Sequence, residues 1–193
     1  PCPTFEDMWK KIIDIDQKGT MKYVYAYWDQ FDTWMHYNGP SDSSSGEQLR
    51  SINDICETYA SKLRKDTGLI ILADHSQVDV TKKDIEDHPE LVECFSHMPG
   101  LEPRTVAFYI KDEKHDVFPS LFEKAYGDDF DLYTQGQVCD MKLFGEHPCE
   151  RMHEFIGDYL AVAKGNISLT YQAKGKTVKG DHAGGRKEEA IVP

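Results

Sequence analysis

The chain has 193 residues, a length that fits one domain or one domain with an insertion. It is 29% charged and 39% hydrophobic, an ordinary globular composition that excludes a disordered chain. Acidic residues outnumber basic ones by 34 to 22, and the net charge of −12 argues against a duplex nucleic-acid binder, which needs a lysine and arginine surplus to meet the phosphates.

The predicted elements alternate from the start. Thr4 is a good N-cap, and Phe5, Met8, Trp9, Ile12 and Ile13 follow at helical spacing until Gly19. Residues 23–28 are β-formers with almost no polar alternation, as in a strand buried on both faces of a parallel sheet. Gly39 to Ser41 and Ser43 to Gly46 read as a loop. A long helix follows, with Leu49, Ile52, Ile55, Cys56, Tyr59 and Leu63 on one stripe, ending near Gly68. Residues 69–73 read as a second buried strand. This α-β-loop-α-β rhythm predicts an α/β fold, an open and mostly parallel sheet flanked by helices. Ligands in such sheets bind just past the carboxyl ends of the strands.

The middle is less regular. Residues 82–95 look helical around Pro89, 105–110 form a strand, 118–126 a helix, 130–133 a short strand and 148–156 a helix. Residues 159–163 and 168–172 read as a strand pair around Lys164-Gly165-Asn166, 174–185 as a glycine-rich loop, and 188–192 as a return to an apolar element. Segment 78–178 reads as an α+β subdomain inserted into the sheet. Pro1 is not an initiator methionine, and the chain stops inside what reads as another apolar strand, so it reads as a piece of a longer protein.

No apolar run approaches the ~20 residues of a membrane span and no signal-peptide pattern opens the chain. The five cysteines are odd in number, scattered and free of any C-x-x-C, which argues against a thiolate zinc site. The expectation is a reducing, cytoplasmic setting, with no membrane segment in this chain.

Three short segments concentrate aspartate and histidine: Asp29 to His36, Asp74-His75, and Asp181-His182 before Ala183-Gly184-Gly185. Taken singly, an aspartate at a strand end caps a turn and a histidine among aromatics packs. Together, the first two follow runs that read as adjacent parallel strands, so they converge on one edge. Carboxylate and neutral imidazole suit Zn²⁺ or Mn²⁺. Trp28, Phe31 and Trp34 read as core or as an aromatic wall for a nucleobase.

Tyr27-Trp28-Asp29-Gln30-Phe31-Asp32-Thr33-Trp34-Met35-His36-Tyr37-Asn38-Gly39-Pro40 resembles the D-x-x-x-H-x-x-G-P segment of type I phosphodiesterases and nucleotide pyrophosphatases, in the alkaline phosphatase superfamily. Leu72-Ala73-Asp74-His75-Ser76 resembles that family's strand followed by D-H-G, with Ser76 in place of glycine. Gly180-Asp181-His182-Ala183-Gly184 resembles its G-x-H-G loop with an alanine inserted after the histidine. The ending, His182-Ala183-Gly184-Gly185-Arg186-Lys187-Glu188-Glu189-Ala190-Ile191-Val192-Pro193, also resembles the PglZ branch.

The resemblance implies a two-metal phosphoric-ester hydrolase with an alkaline-phosphatase-like core, loaded with two divalent ions, Zn or Mn. Asp32, His36 and His182 would hold one metal, and Asp74 and His75 would contribute to the other. Tyr37 and Asn38 would face a phosphate-ester or nucleotide substrate. The family's threonine or serine nucleophile has no match here, so it is expected upstream of Pro1, and this piece alone is expected to be inactive. The alternative is a degenerate, PglZ-like domain that binds metal or a phosphorylated ligand without turnover.

Overall fold

A computed structural model describes residues 2–171 and 178–191. Helix α1 (Phe5–Asp16) starts where the sequence places it, with the Thr4 side chain accepting from the Asp7 N–H. Its buried Trp9 stacks on Tyr59 of α3 (Ser43–Ala60). Between them, α2 (Gln30–Asn38) carries the first Asp/His segment. The serine run read as loop is the first turn of α3, because the Asp42 carboxylate caps it by accepting from the Ser44 N–H.

Residues 23–28 and 69–73, expected as buried parallel strands, belong to no sheet among the described residues. Both runs are without assigned secondary structure, and Tyr23, Tyr25, Ile70 and Leu72 are exposed. The expectation read their composition correctly as strand-forming, but a strand exists only once its N–H and C=O groups meet a neighbour. The described chain offers them none.

The sheets that do form lie mostly in the second half. Strand β1 (Val78–Asp79) pairs antiparallel with β8 (Gly180–Asp181). β2 (Thr81–Asp84) pairs parallel with β7 (Ile167–Thr170). A four-stranded antiparallel sheet runs in the order β3 (Gly100–Glu102), β4 (Thr105–Phe108), β6 (Tyr159–Ala163), β5 (Phe130–Thr134). The helical reading of 82–95 is therefore corrected: pairing with β7 makes β2 a strand, a 3-10 turn follows over Ile85–Asp87, and only α4 (Pro89–Val92) is helical. The expected 159–172 hairpin is corrected too, since β6 pairs with β4 and β5 while β7 turns away to β2. The 174–185 loop lies partly outside the described residues, and within it Gly180–Asp181 form β8.

Helix α5 (Phe118–Tyr126) falls on the predicted residues, with Phe118, Phe122 and Tyr126 at i, i+4 and i+8 on its buried face. They pack with Phe95, Phe108 and Phe130 as the main core. Short helices α6 (Gln135–Asp140) and α7 (Met152–Ile156) cover the other face of the sheet around Val138, Leu160 and Ile156, and α8 (Lys187–Ala190) closes the described chain. Among the described residues no helix is long and apolar enough to cross a membrane.

Candidate metal centre

Asp32 and His36 sit one turn apart on α2, which puts both on one face, with His36 Nε2 3.5 Å from Asp32 Oδ2. The end of α2 is tied to the third segment: the Lys179 N–H donates to the His36 carbonyl, and His36 Nδ1 lies 2.8 Å from the Gly180 carbonyl oxygen. That bond fixes Nδ1 as the protonated nitrogen and leaves Nε2 free as an electron-pair donor. The β1–β8 pairing joins the second segment to the third, with Val78 opposite Asp181. Gln77, 5% exposed, joins the second to the first by donating from Nε2 to the Asp32 carbonyl (3.1 Å) and to Asp32 Oδ1 (2.6 Å).

These ties bring four of the five expected ligands together. His75 and His182 stack with ring centroids 3.7 Å apart, and His36 lies 5.3 Å from His182. Asp32, His75 and His182 offer ligand atoms all within 4.8 Å of one another, and so do His36, Asp181 and His182. His182 belongs to both groups. Asp74 is the peripheral member, mostly exposed, with Oδ1 3.7 Å from His75 Nε2. Tyr37 is exposed, and the Asn38 amide is spent on the Trp34 carbonyl at the end of α2. Trp28 packs on Phe5 of α1.

Burial, the neighbouring His75 and His36 together push the His182 pKa below its ordinary value, against the opposing pull of Asp181 and Glu102. The ring is therefore neutral at neutral pH, the form that ligates metal. Asp74, burial, Asp32 and Asp29 push the Tyr27 phenol up, so the end of the 23–28 run lies against the same acidic edge. The donor set fits a divalent cation: carboxylates and imidazoles are hard to borderline ligands. Among the described residues the buried His75 Nδ1 has no hydrogen-bond partner, and a cation ligated through that nitrogen would supply one.

Sequence reasoning gave no role to Asp181, Gln77, Arg104 or Glu189. Asp181 is buried and accepts from the Ser168 hydroxyl and the His182 N–H. Its place beside His182 was the available signal. Gln77 carried none, because its partner is 45 residues away.

The two departures from glycine differ. Ala183 sits at φ +66°, the left-handed region that disfavours an L side chain by about 1–2 kcal/mol. Its backbone takes a conformation that a glycine would adopt there without strain. Ser76 is not among the positive-φ residues and needs no such freedom. Ala183→Gly is expected to stabilise the chain by about 1 kcal/mol, a rise of roughly 2–4 °C in melting temperature by calorimetry. An unchanged or lower melting temperature would show that the strain at Ala183 is relieved elsewhere.

The family model for type I phosphodiesterase / nucleotide pyrophosphatase matches residues 4–185. The chain belongs to this family. Among solved structures, murine ectonucleotide pyrophosphatase / phosphodiesterase 5 is similar, with TM-score 0.67 and 16% identity over 98% of this chain and 51% of that one. Its human counterpart gives TM-score 0.70 and 18% identity over 94% and 48%. An inactive variant of the murine protein, in complex with AMP, gives TM-score 0.65 and 15% identity over 98% and 51%. The search of curated proteins finds no match. The fold of this phosphodiesterase-family chain is thus α/β and alkaline-phosphatase-like in part, and the chain spans about half the length of the structures it matches.

Proposed function

We propose that this chain supplies the metal-binding half of a phosphodiesterase or nucleotide pyrophosphatase that works with two divalent cations, Zn²⁺ or Mn²⁺. The observation that carries the reading is the convergence of Asp32, His36, His75 and His182 from three distant segments, in two groups of close donor atoms that share His182. We assign Asp32, His36 and His182 to one ion and Asp74 and His75 to the second, with His182 also close to Asp32 and His75 together and to His36 and Asp181 together. Bound cations would supply charge to stabilise the attacking and leaving oxygens of an in-line displacement at phosphorus. Asp32 is held for this by Gln77, and His36 by the Gly180 carbonyl.

The threonine or serine nucleophile and the remaining ligands come from the half of the fold outside these residues. Strands from that half pair with the exposed 23–28 and 69–73 runs. Segment 78–178 is an inserted subdomain: β1 and β8 meet at its two ends, and the phenylalanine core lies within it. The AMP complex of the murine neighbour supports a nucleotide ester as the substrate class. Tyr37 and Asn38, at the end of α2 beside His36, face that substrate.

The test is hydrolysis by a protein carrying this chain together with the other half of the fold. An aryl phosphodiester is expected to be cleaved faster than the matching monoester, and EDTA is expected to abolish both activities. Turnover unchanged by EDTA would overturn the metal reading, and a preference for the monoester would assign a phosphatase.

A further inference from the structure

One residue is hydrogen-bonded beside both of the stacked histidines. Glu189 lies on α8, and its carboxylate accepts from the Gly184 N–H (2.7 Å), two residues after His182, and from the Arg186 N–H (3.2 Å). Its backbone carbonyl accepts from the Ser76 N–H (3.1 Å), the residue after His75. The loop bearing His182 and the segment bearing His75 are therefore referenced to a single point.

That point is fixed to the four-stranded sheet by Arg104, between β3 and β4. Arg104 is fully buried and Glu189 is 5% exposed. The guanidinium donates from Nε to Oε1 (2.7 Å) and from Nη2 to Oε2 (2.8 Å), a planar two-bond fit. Its Nη1 donates to the Gly165 and Ile167 carbonyls. The neighbouring Thr105 hydroxyl donates to the Ala183 carbonyl, between His182 and Gly184. A Cβ on Gly184 would stand 2.6 Å from Arg104 Nη2 and 2.8 Å from Glu189 Oε2, so the loop backbone lies directly on the ion pair.

With these partners the pair is occupied on every side and is poorly placed to ligate a cation or bind a phosphate itself. Burying two charges is also a poor way to gain stability alone, since apolar residues of similar volume commonly do as well. We propose that Arg104 and Glu189 are positioning residues: their ion pair sets the separation of the His75 and His182 imidazoles, and with it the affinity of the centre for a divalent cation. The proposal rests on the metal-binding reading given above.

The experiment uses the 193-residue chain with Co²⁺, followed by its visible absorption, and with Zn²⁺, followed by titration calorimetry. The proteins compared are wild type, Glu189→Gln, Arg104→Lys and His182→Ala. Glu189→Gln is expected to melt cooperatively at a lower temperature, to bind both ions roughly 10–100-fold more weakly and to shift the Co²⁺ spectrum. Arg104→Lys keeps the charge but not the planar fit, and an intermediate affinity is expected. A Glu189→Gln protein with lowered melting temperature but wild-type affinity and spectrum would overturn the proposal and leave the pair a purely structural one. Should Glu189→Gln not fold, Arg104→Lys decides in the same way, wild-type affinity overturning the proposal and weakened affinity supporting it. Failure of the metal reading has a different signature: wild type takes up neither ion, or His182→Ala binds them equally well, and the positioning proposal falls with it.

Discussion

Replacing His182 by alanine is expected to abolish the rise in melting temperature that Zn²⁺ gives the wild-type chain. His182 is the residue shared by both candidate ligand groups, so its loss opens both at once. A cation bound only by the native state at 100 times its dissociation constant stabilises by about 2.7 kcal/mol, roughly 5–10 °C for a chain of this size. His97→Ala is the control, because that ring packs on Tyr109, away from the cluster, and its variant is expected to respond like wild type. Equal shifts in wild type and His182→Ala would show that the ligands are misassigned. The pH dependence has a definite sign. Burial and His75 lower the His182 pKa in the folded chain below the ordinary 6.5, so the unfolded chain takes up the proton first. Metal-free wild type therefore loses stability as pH falls from 6.5 toward the folded value, and His182→Ala removes that part of the slope.

Arg104→Met is expected to cost about 3–5 kcal/mol, the largest loss at any single polar position here. It strands the buried Glu189 carboxylate and the Gly165 and Ile167 carbonyls that Arg104 satisfies. Urea unfolding should show the midpoint falling with little change in slope. Burial pushes the Glu189 pKa up, but the Arg104 and backbone hydrogen bonds outweigh it and hold the carboxyl below its ordinary value of 4.5. In wild type that contribution is present above 4.5 and is lost as pH falls through the folded value. In Arg104→Met burial acts with less opposition, the carboxyl favours its neutral form, and the deficit shrinks as the solution is acidified. Arg104→Met combined with Glu189→Leu is expected to recover much of the stability, since no charge is left buried. A single-variant loss below about 1 kcal/mol would mean that water reaches Glu189.

The local elements were readable because their signals are local. Thr4 caps α1 through the Asp7 N–H three residues on, and Phe118, Phe122 and Tyr126 mark one face of α5. The D-x-x-x-H spacing from Asp32 to His36 was visible in the sequence, and it spans one turn of the nine-residue helix α2. Where a signal was shared between states, context decided. Residues 82–95 carry charge and apolar spacing that suit a helix, yet β7 captures residues 81–84 into a parallel pair. The 23–28 and 69–73 runs have strand composition and no partner among the described residues, so composition alone could not make them a sheet.

By itself the sequence marked the candidate ligands: three segments whose aspartates and histidines resemble one family's motifs and suit hard to borderline cations. Only the tertiary structure decided how those segments meet. Gln77 reaches Asp32 across 45 residues, Arg104 reaches Glu189 across 85, and His36 reaches Gly180 across 144. A hydrogen bond of that span leaves no periodicity in the chain, because its two ends share no local conformation. Its energy is realised only when burial removes the water that would otherwise satisfy both groups.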